Sequence, residues 1–250
     1  MNKILLAVAA LAVLSSCAGS YNVQGTSNVS SLDGSKLYLK AIKDNELKDI
    51  DSCEVLHGTF QFEGTLDTVR MVNLFMDDAS LMPLVLEKGE IRVRINNTEQ
   101  TVGGTPMNDL LYDFLEKHRQ LDNQLTELAH QQSRMMLDGI DEVTINQYLN
   151  AQVAKIAKEE DQLVTTFISD NFDNVLGPGI FMLITSRYSY PVLTPQIEHI
   201  MSNATAKFKN DPYVKDYYQT ATENERRMQG LDDPANLSDT VVADSLPGGQ

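Results

Sequence analysis

The spacing of apolar residues changes once along this chain, at Gly103-Gly104-Thr105-Pro106. Before this segment apolar and polar residues alternate, as they do from Ile91 to Ile95, and this period of two is typical of half-buried β-strands. After it apolar residues recur every three or four positions from Met107 to Leu128, which is the period of an amphipathic helix. The sequence therefore predicts an α+β fold, in which an N-terminal antiparallel β-sandwich or open barrel over residues 21–104 precedes a helical part over residues 105–229.

The β part is predicted to consist of short strands separated by turn residues. The clearest of them cover residues 36–41, 47–56, 60–63, 70–76, 84–86 and 91–95. His57-Gly58 is predicted to form a two-residue hairpin turn, because glycine accepts positive φ freely and histidine tolerates it. Glu87-Lys88-Gly89-Glu90 is predicted to turn the chain before the last strand. Arg92 and Arg94 lie on the polar side of that strand, either as a solvated face or as a binding stripe.

Residues that cap helices divide the helical part into segments. Thr105 and Pro106 are predicted to begin a first helix that extends to Leu137, where Asp138-Gly139 ends it. Asp141 can cap a second helix. Because the link is short, the two helices are predicted to form an antiparallel hairpin. The predicted inner face of the second helix comprises Val143, Tyr148, Leu149, Val153, Ile156, Leu163 and Phe167.

Three segments that contain proline mark the rest of the helical part. Gly177-Pro178-Gly179 is predicted to interrupt the next apolar segment. Thr194-Pro195 and Asp211-Pro212 each place a capping residue before a proline, which is favoured at the first helical position. They predict a short helix over residues 196–201 and a last helix over residues 213–228.

The N-terminus resembles a bacterial export signal. The apolar run from Ile4 to Leu14 is shorter than the roughly 20 residues needed to span a bilayer. It ends in Leu14-Ser15-Ser16-Cys17, which resembles a lipoprotein box. The sequence therefore predicts a signal peptide over residues 1–16, lipidation of Cys17, a spacer over residues 17–20 and attachment to the membrane through that lipid. Ordinary signal cleavage and an uncleaved anchor are the alternatives.

The charge of the chain limits its partners. Its 20 Lys and Arg residues face 35 Asp and Glu residues, which gives a formal net charge of −15 at pH 7. Such a chain repels the phosphates of nucleic acids, so a nucleic-acid partner is excluded. No Lys or Arg follows Arg227, and residues 230–250 are rich in Asp, Pro and Gly, so this acidic tail is predicted to be disordered.

No residue pattern predicts catalysis, a cofactor or a metal centre, and the chain is predicted not to be an enzyme. If Cys17 is lipidated, Cys53 has no partner for a disulfide, and the chain contains no C-x-x-C. Cys53 is then either a small residue within a strand or a thiol that forms mixed disulfides. The spacing of the histidines does not predict a zinc site. They are His57, His118, His130 and His199.

Several short motifs resemble, in the same order, those of a known domain. They are Tyr21, Val23 and Gly25, the segment 36–40, Gly58-Thr59-Phe60-Gln61-Phe62-Glu63-Gly64, Leu84-Val85-Leu86-Glu87-Lys88-Gly89, and Asn171-Phe172-Asp173-Asn174 with Gly177. The chain resembles a Bacteroidetes domain of unknown function (the 4369 type), which usually precedes a thioredoxin-like domain in thiol–disulfide interchange lipoproteins. The resemblance extends over residues 21–228.

The resemblance implies an accessory module of the cell envelope. In full-length relatives a thioredoxin-like domain with C-x-x-C follows, whereas here the acidic tail follows, so the redox chemistry of those relatives is not carried over. The module is expected to bind an envelope protein or peptide, such as a thioredoxin-like protein, at the outer membrane and facing the periplasm. The alternative is a structural role, in which the helical hairpin of residues 107–167 packs against a second copy or an envelope complex.

Envelope proteins of the same bacterial group carry O-linked glycans at Asp-Ser/Thr-aliphatic tripeptides. Three tripeptides of this chain resemble that pattern, and they predict glycosylation of Thr240 and Ser245 in the tail and of Thr68 in a loop. The intact mass of the native protein tests this prediction, because each added hexose raises the mass by a fixed amount.

Overall fold

The computed structural model describes residues 19–43 and 46–230. Its strands are β1 (Gly19–Ser27), β2 (Lys36–Lys43), β3 (Glu46–Glu54), β4 (Thr59–Leu66), β5 (Arg70–Met76), β6 (Ala79–Leu86), β7 (Gly89–Ile95) and β8 (Gln100–Gly103). Its helices are α1 (Pro106–Leu137), α2 (Glu142–Asp170), α3 (Leu176–Thr185), α4 (Pro195–Asn203), α5 (Ala206–Lys209) and α6 (Pro212–Met228). A 3₁₀ turn lies at Ser30–Leu32. The order of these elements confirms the predicted α+β fold.

The strands form two four-stranded sheets that pack face to face. Sheet A has the order β4-β1-β7-β8, and sheet B has the order β3-β2-β5-β6. β1 and β7 are parallel, whereas the other neighbouring strands are antiparallel. Side chains such as Val23, Leu39, Leu74 and Ile91 are fully buried between the sheets. The predicted sandwich is therefore confirmed.

The turn at His57-Gly58 joins the two sheets. Both residues have positive φ, 52° and 71°, as a type I′ turn requires, and Leu56 and Thr59 exchange backbone hydrogen bonds across the turn. The prediction of a hairpin was wrong in one respect, because β3 belongs to sheet B whereas β4 pairs with β1 in sheet A. Gly25 of β1 permits this pairing, since a Cβ at its position would lie 2.0 Å from the Phe60 ring of β4.

The helical hairpin forms as predicted, with α1 and α2 antiparallel. Asp141 caps α2 through its side chain. Phe114 of α1 contacts Phe167 of α2, with ring centroids 4.3 Å apart. Farther along α1, Gln131 accepts a hydrogen bond from the hydroxyl of Tyr148. A later residue of α1 thus meets an earlier residue of α2, as an antiparallel pair requires.

The predicted inner face of α2 was wrong at three positions. Over its first half α2 presents only a narrow stripe of side chains to α1. This stripe contains Ile145, Leu149 and Ile156, which are spaced as in a coiled coil. Apolar residues outside this stripe are exposed, because one helix cannot cover a broad face of another. They are Val143, Tyr148 and Val153.

The predicted interruption at Gly177-Pro178-Gly179 was also wrong, because these residues lie in the first turn of α3. Pro178 fits there, since the amide hydrogen that it lacks would have no partner within the helix. Gly177 fits for a steric reason, because a Cβ at its position would lie 2.4 Å from the carbonyl oxygen of Asn171. The segment therefore begins a helix.

We expect Gly177→Ala to destabilise the protein by about 1–3 kcal/mol, because its methyl group must displace the backbone at Asn171. Gly179→Ala in the same helical turn is the matched control. Its Cβ would meet the Met71 sulfur at 2.1 Å, and a flexible methionine side chain can move aside. Guanidinium denaturation measures both variants, and an equal loss of stability in the two would contradict the steric explanation.

Candidate functional site

Three of the predicted modification sites lie outside the described residues. Cys17, Thr240 and Ser245 fall before residue 19 or after residue 230, so their lipidation and glycosylation stay predictions. Thr68 lies in the turn between β4 and β5, where it is exposed. Within residues 19–43 and 46–230, no helix combines the length and the apolar character needed to cross a membrane.

The described chain begins at one end of the sandwich, which we call the N-terminal end. Gly19 pairs there with Leu66, and a short turn then leads into β5. β6 ends at the same place, because Leu86 pairs with Arg70 at the start of β5. Cys17 precedes Gly19 by two residues, a reach of at most about 7 Å. A lipid on Cys17 would therefore lie close to the N-terminal end.

Asn108 fastens α1 to the edge strand β6. Its amide oxygen accepts a hydrogen bond from the Val85 amide at 2.9 Å, and its amide nitrogen donates to the Val85 carbonyl at 2.8 Å, much as a neighbouring strand would. The same nitrogen donates to the Thr105 hydroxyl at 2.8 Å. Glu87 follows β6 and accepts hydrogen bonds from the amides of Met107 and Asn108. Because Asn108 is fully buried, these bonds fix the start of α1 on the sheet.

α1 runs along β6 and away from the N-terminal end. One helical turn after the contact with Val85, the Tyr112 hydroxyl donates to the Pro83 carbonyl at 2.9 Å. β6 ends at the N-terminal end, so each later turn of α1 lies farther from it. Arg119 lines a cleft with the turn between β7 and β8, which belongs to the opposite end of the sandwich. Residues 120–137 continue the helix beyond that point by about 27 Å.

A cluster of polar side chains lies at the base of this projecting hairpin. His118 of α1 contacts Asp122 through Nδ1 at 3.3 Å and Glu160 of α2 through Nε2 at 3.2 Å. Glu160 also contacts Arg187 at 3.4 Å. His118 and Asp122 are four residues apart on α1, a spacing that places them on the same face of the helix. From the sequence, the histidines were considered only as zinc ligands, and this pair was not predicted. In the described part of the chain, no group of three His, Cys, Asp or Glu side chains could hold a metal ion.

We call residues 120–158 the arm, and the exposed apolar residues at its end the hairpin tip. The tip consists of Met136, Leu137, Ile140 and Val143. Leu137 is 87% exposed and Val143 is 66% exposed. The acidic residues among them are Asp138, Asp141 and Glu142, and no Lys or Arg occurs over residues 135–154. Clustered apolar side chains in solvent mark surfaces that contact another molecule.

A groove of about 850 Å³ lies between sheet B and α3. Its walls are mainly apolar and include Ile42 of β2, Met71 of β5 and Leu183 of α3. Ile42 and Leu183 are each about half exposed. Val69 and Arg70, at the N-terminal end of the sandwich, line the same groove. Sequence reasoning missed the groove, because its walls come from distant parts of the chain.

Cys53 lies on β3 and is partly buried. Burial raises the pKa of its thiol to about 11, and the negative charge of Asp51 acts in the same direction. The backbone amide of Gln61, which donates a hydrogen bond to the sulfur, lowers the pKa by less than burial raises it. The thiol is therefore protonated at neutral pH, which favours a structural role over mixed-disulfide exchange.

We expect Cys53 to react slowly with iodoacetamide at pH 8 in the folded protein. A pKa of about 11 in place of the unperturbed 9.0 lowers the thiolate fraction roughly a hundredfold. Mass spectrometry of the alkylated protein, folded and in guanidinium chloride, measures the two rates. Equal rates in the two conditions would mean that Cys53 is accessible and reactive after all.

Residues 21–111 match the model of a protein family described as "Domain of unknown function (DUF4369)". The match confirms the predicted module over the β part and the beginning of α1. It includes Glu87 and Asn108, so the joint between β6 and α1 lies within the matched region. No curated protein and no solved structure matches the chain.

Proposed function

We propose that this protein, whose residues 21–111 match the DUF4369 family model, is a lipid-anchored, non-enzymatic binding module of the cell envelope. Lipid on Cys17 attaches the N-terminal end of the sandwich to the outer membrane, and the arm extends into the periplasm. The hairpin tip binds a partner protein there. A thioredoxin-like protein is the candidate partner that the resemblance to interchange lipoproteins suggests.

The direction of the arm is the observation that carries this proposal. α1 starts beside the N-terminal end, where Glu87 and Asn108 hold it, and it runs to the opposite end of the sandwich. Its residues Pro106–Leu137 span about 48 Å at 1.5 Å per residue. A membrane at the N-terminal end would therefore leave the hairpin tip far from the bilayer and accessible to a periplasmic protein.

The side chains of the hairpin tip indicate the chemistry of the partner. Apolar residues such as Leu137 and Val143 are exposed, and their burial against a partner would lower the free energy of the complex. The acidic residues Asp138, Asp141 and Glu142 would surround that contact and remain partly solvated. A complementary partner therefore presents an apolar pocket with Lys or Arg side chains at its rim.

Photo-crosslinking in living cells tests this proposal. A photoreactive amino acid replaces Leu137, and we expect one main crosslinked product that joins the protein to a partner. Val143→Asp in the same chain should remove most of this product, because it places a charge within the apolar contact. Mass spectrometry then identifies the partner.

Lys158 provides the control position, because it is exposed on α2 near the base of the arm. The same photoreactive amino acid at this position should not give the product. A product that forms equally from both positions, or one that survives Val143→Asp, would contradict a binding role for the hairpin tip.

Self-association through the arm is the second candidate function, and it is favoured by apolar residues along the sides of the arm. Leu125 on α1 is 37% exposed and Val153 on α2 is 45% exposed, although both lie away from the tip. Two copies could bury these residues against each other. Light scattering separates the two functions: a dimer that Val153→Asp returns to monomer supports self-association, whereas a monomer at every concentration excludes it.

A further inference from the structure

The groove between sheet B and α3 lies at the end of the sandwich from which the chain leads back to Cys17. Val69 and Arg70 form part of its lining, and Leu66, three residues before Val69, pairs with Gly19. Gly19 is two residues from Cys17. A bilayer that contains the lipid of Cys17 would therefore lie next to this end of the groove.

The walls of the groove leave apolar surface open to solvent. Ile42 is 50% exposed and Leu183 is 47% exposed. Pro178 and Met182 of α3 extend the same apolar wall, and Met71 of β5 lies opposite. The volume of about 850 Å³ is within the range of sites that bind small molecules. A single hydrocarbon chain would cover this surface without requiring hydrogen bonds from the walls.

Cationic side chains also line the groove, although the net charge of the chain is −15. They are Lys40, Arg70 and Lys207. Arg70 and Lys207 donate hydrogen bonds to uncharged oxygens, so these hydrogen bonds do not neutralise the positive charges of the two side chains. The ammonium group of Lys40 lies 3.6 Å from the carboxylate of Asp49 and over the rings of Tyr38 and Phe75, so Arg70 and Lys207 supply the positive charge that is open to a ligand. The carboxylate of Asp211 lines the groove as well, but it caps α6 by accepting hydrogen bonds from two amides.

We propose that the groove binds an acyl chain of an anionic phospholipid from the membrane that holds Cys17. The chain lies along the apolar walls, and the phosphate lies near Arg70 and Lys207. The positive charge favours a phospholipid over the diacylglyceryl group of Cys17 itself, because that group is uncharged. This inference rests on the proposed attachment through Cys17, and it adds a lipid ligand at the N-terminal end to the protein partner at the hairpin tip.

Titration calorimetry with lysophospholipids below their micelle concentration tests the proposal. The protein is the mature chain with Cys17→Ser, which cannot be lipidated. Lysophosphatidylglycerol supplies one acyl chain with an anionic headgroup, and lysophosphatidylcholine supplies the same chain with a zwitterionic headgroup. We expect one molecule of the anionic lipid to bind, at least roughly tenfold more tightly than the zwitterionic one.

Two substitutions in the groove and one outside it locate the binding. Leu183→Glu should abolish binding of both lipids, because it places a carboxylate in the apolar wall. Lys207→Gln should weaken binding of the anionic lipid more than binding of the zwitterionic lipid, because the choline group of the latter already offsets the charge of its phosphate. Leu137→Glu at the hairpin tip is the matched control, and it should leave lipid binding unchanged. Because the two surfaces lie at opposite ends, lipid binding and partner crosslinking can fail independently.

Three results would overturn the proposal. One is equal affinity for the two lipids or binding of neither. Another is unchanged binding by the Leu183→Glu variant. The third is binding by the Cys17→Ser protein but not by the native lipidated protein, because the acyl chains on Cys17 would then occupy the groove. Binding of lysophosphatidylglycerol by both forms supports a ligand drawn from the membrane.

Discussion

Asn108→Ala is expected to lower the free energy of unfolding by about 2–6 kcal/mol. Asn108 is fully buried and pairs with both the amide and the carbonyl of Val85. Alanine leaves these two buried groups without partners, and each unpaired buried group costs roughly 1–3 kcal/mol. Because α1 is fastened to the sheet at this point, the same substitution should also loosen the arm from the sandwich.

Denaturation in guanidinium chloride measures this effect as a shift of the midpoint at an unchanged slope. Asn150→Ala is the matched control, since Asn150 is exposed on α2. Its stability should change by less than about 1 kcal/mol, because only the helix propensity of the residue differs. If Asn108→Ala unfolds at the same midpoint as Asn150→Ala, the side chain of Asn108 does not hold the helix to the sheet.

Phe181→Ala is expected to destabilise the protein by about 3–5 kcal/mol. The Phe181 side chain is fully buried in α3. Its ring makes edge-to-face contacts with the rings of Phe208 and Tyr217, at centroid-to-centroid distances of 5.6 and 5.5 Å. These contacts join α3 to α5 and α6, so the cavity left by alanine would weaken the packing of three helices at once.

Leu183→Ala is the control for this substitution, because Leu183 lies on the same helix and is 47% exposed. It should cost about 1 kcal/mol or less, since about half of the Leu183 surface already lies in solvent. Thermal or guanidinium unfolding of the two variants compares them directly. Equal losses would show that the aromatic cluster around Phe181 contributes no more to stability than the rim of the groove.

The parts of the fold that were predicted correctly are those that depend on adjacent residues. Thr105-Pro106, Thr194-Pro195 and Asp211-Pro212 each begin a helix where expected, although only Thr194 and Asp211 cap their helices through the side chain. His57-Gly58 forms the expected turn, with positive φ at both residues. Capping and turn formation use side chains and dihedral angles within a few residues, so the chain itself contains the necessary information.

Contacts between distant segments could not be predicted in this way. The alternation of apolar and polar residues indicates which side of a strand is buried, but it does not indicate which strand lies beside it. The pairing of β1 with β4 and β7 was therefore not predicted. Asn108 gave no signal, because an asparagine in the first turn of a helix ordinarily faces solvent. β8 and α5 have four residues each, which is too short for a recognisable period.

The hairpin tip and the groove show the same difference between local features, which were predicted, and contacts between distant segments, which were not. The hairpin was predicted, but Val143 was predicted to face inward, because periodicity alone does not say how wide a face the neighbouring helix covers. The groove was not predicted at all. Its cations Lys40, Arg70 and Lys207 come from two strands and a short helix, and only the folded chain brings them together.

The distance of labelled residues from a bilayer is the most direct test of the proposed function. Lipidated protein with Cys53→Ser carries a donor dye at Thr68→Cys or, in a second sample, at Leu137→Cys, and is reconstituted into vesicles whose headgroups carry an acceptor dye. We predict strong energy transfer from position 68 and little from position 137, because α1 alone spans about 48 Å. Equal transfer from the two positions would contradict the proposal that the lipid anchor and the hairpin tip lie at opposite ends of the molecule.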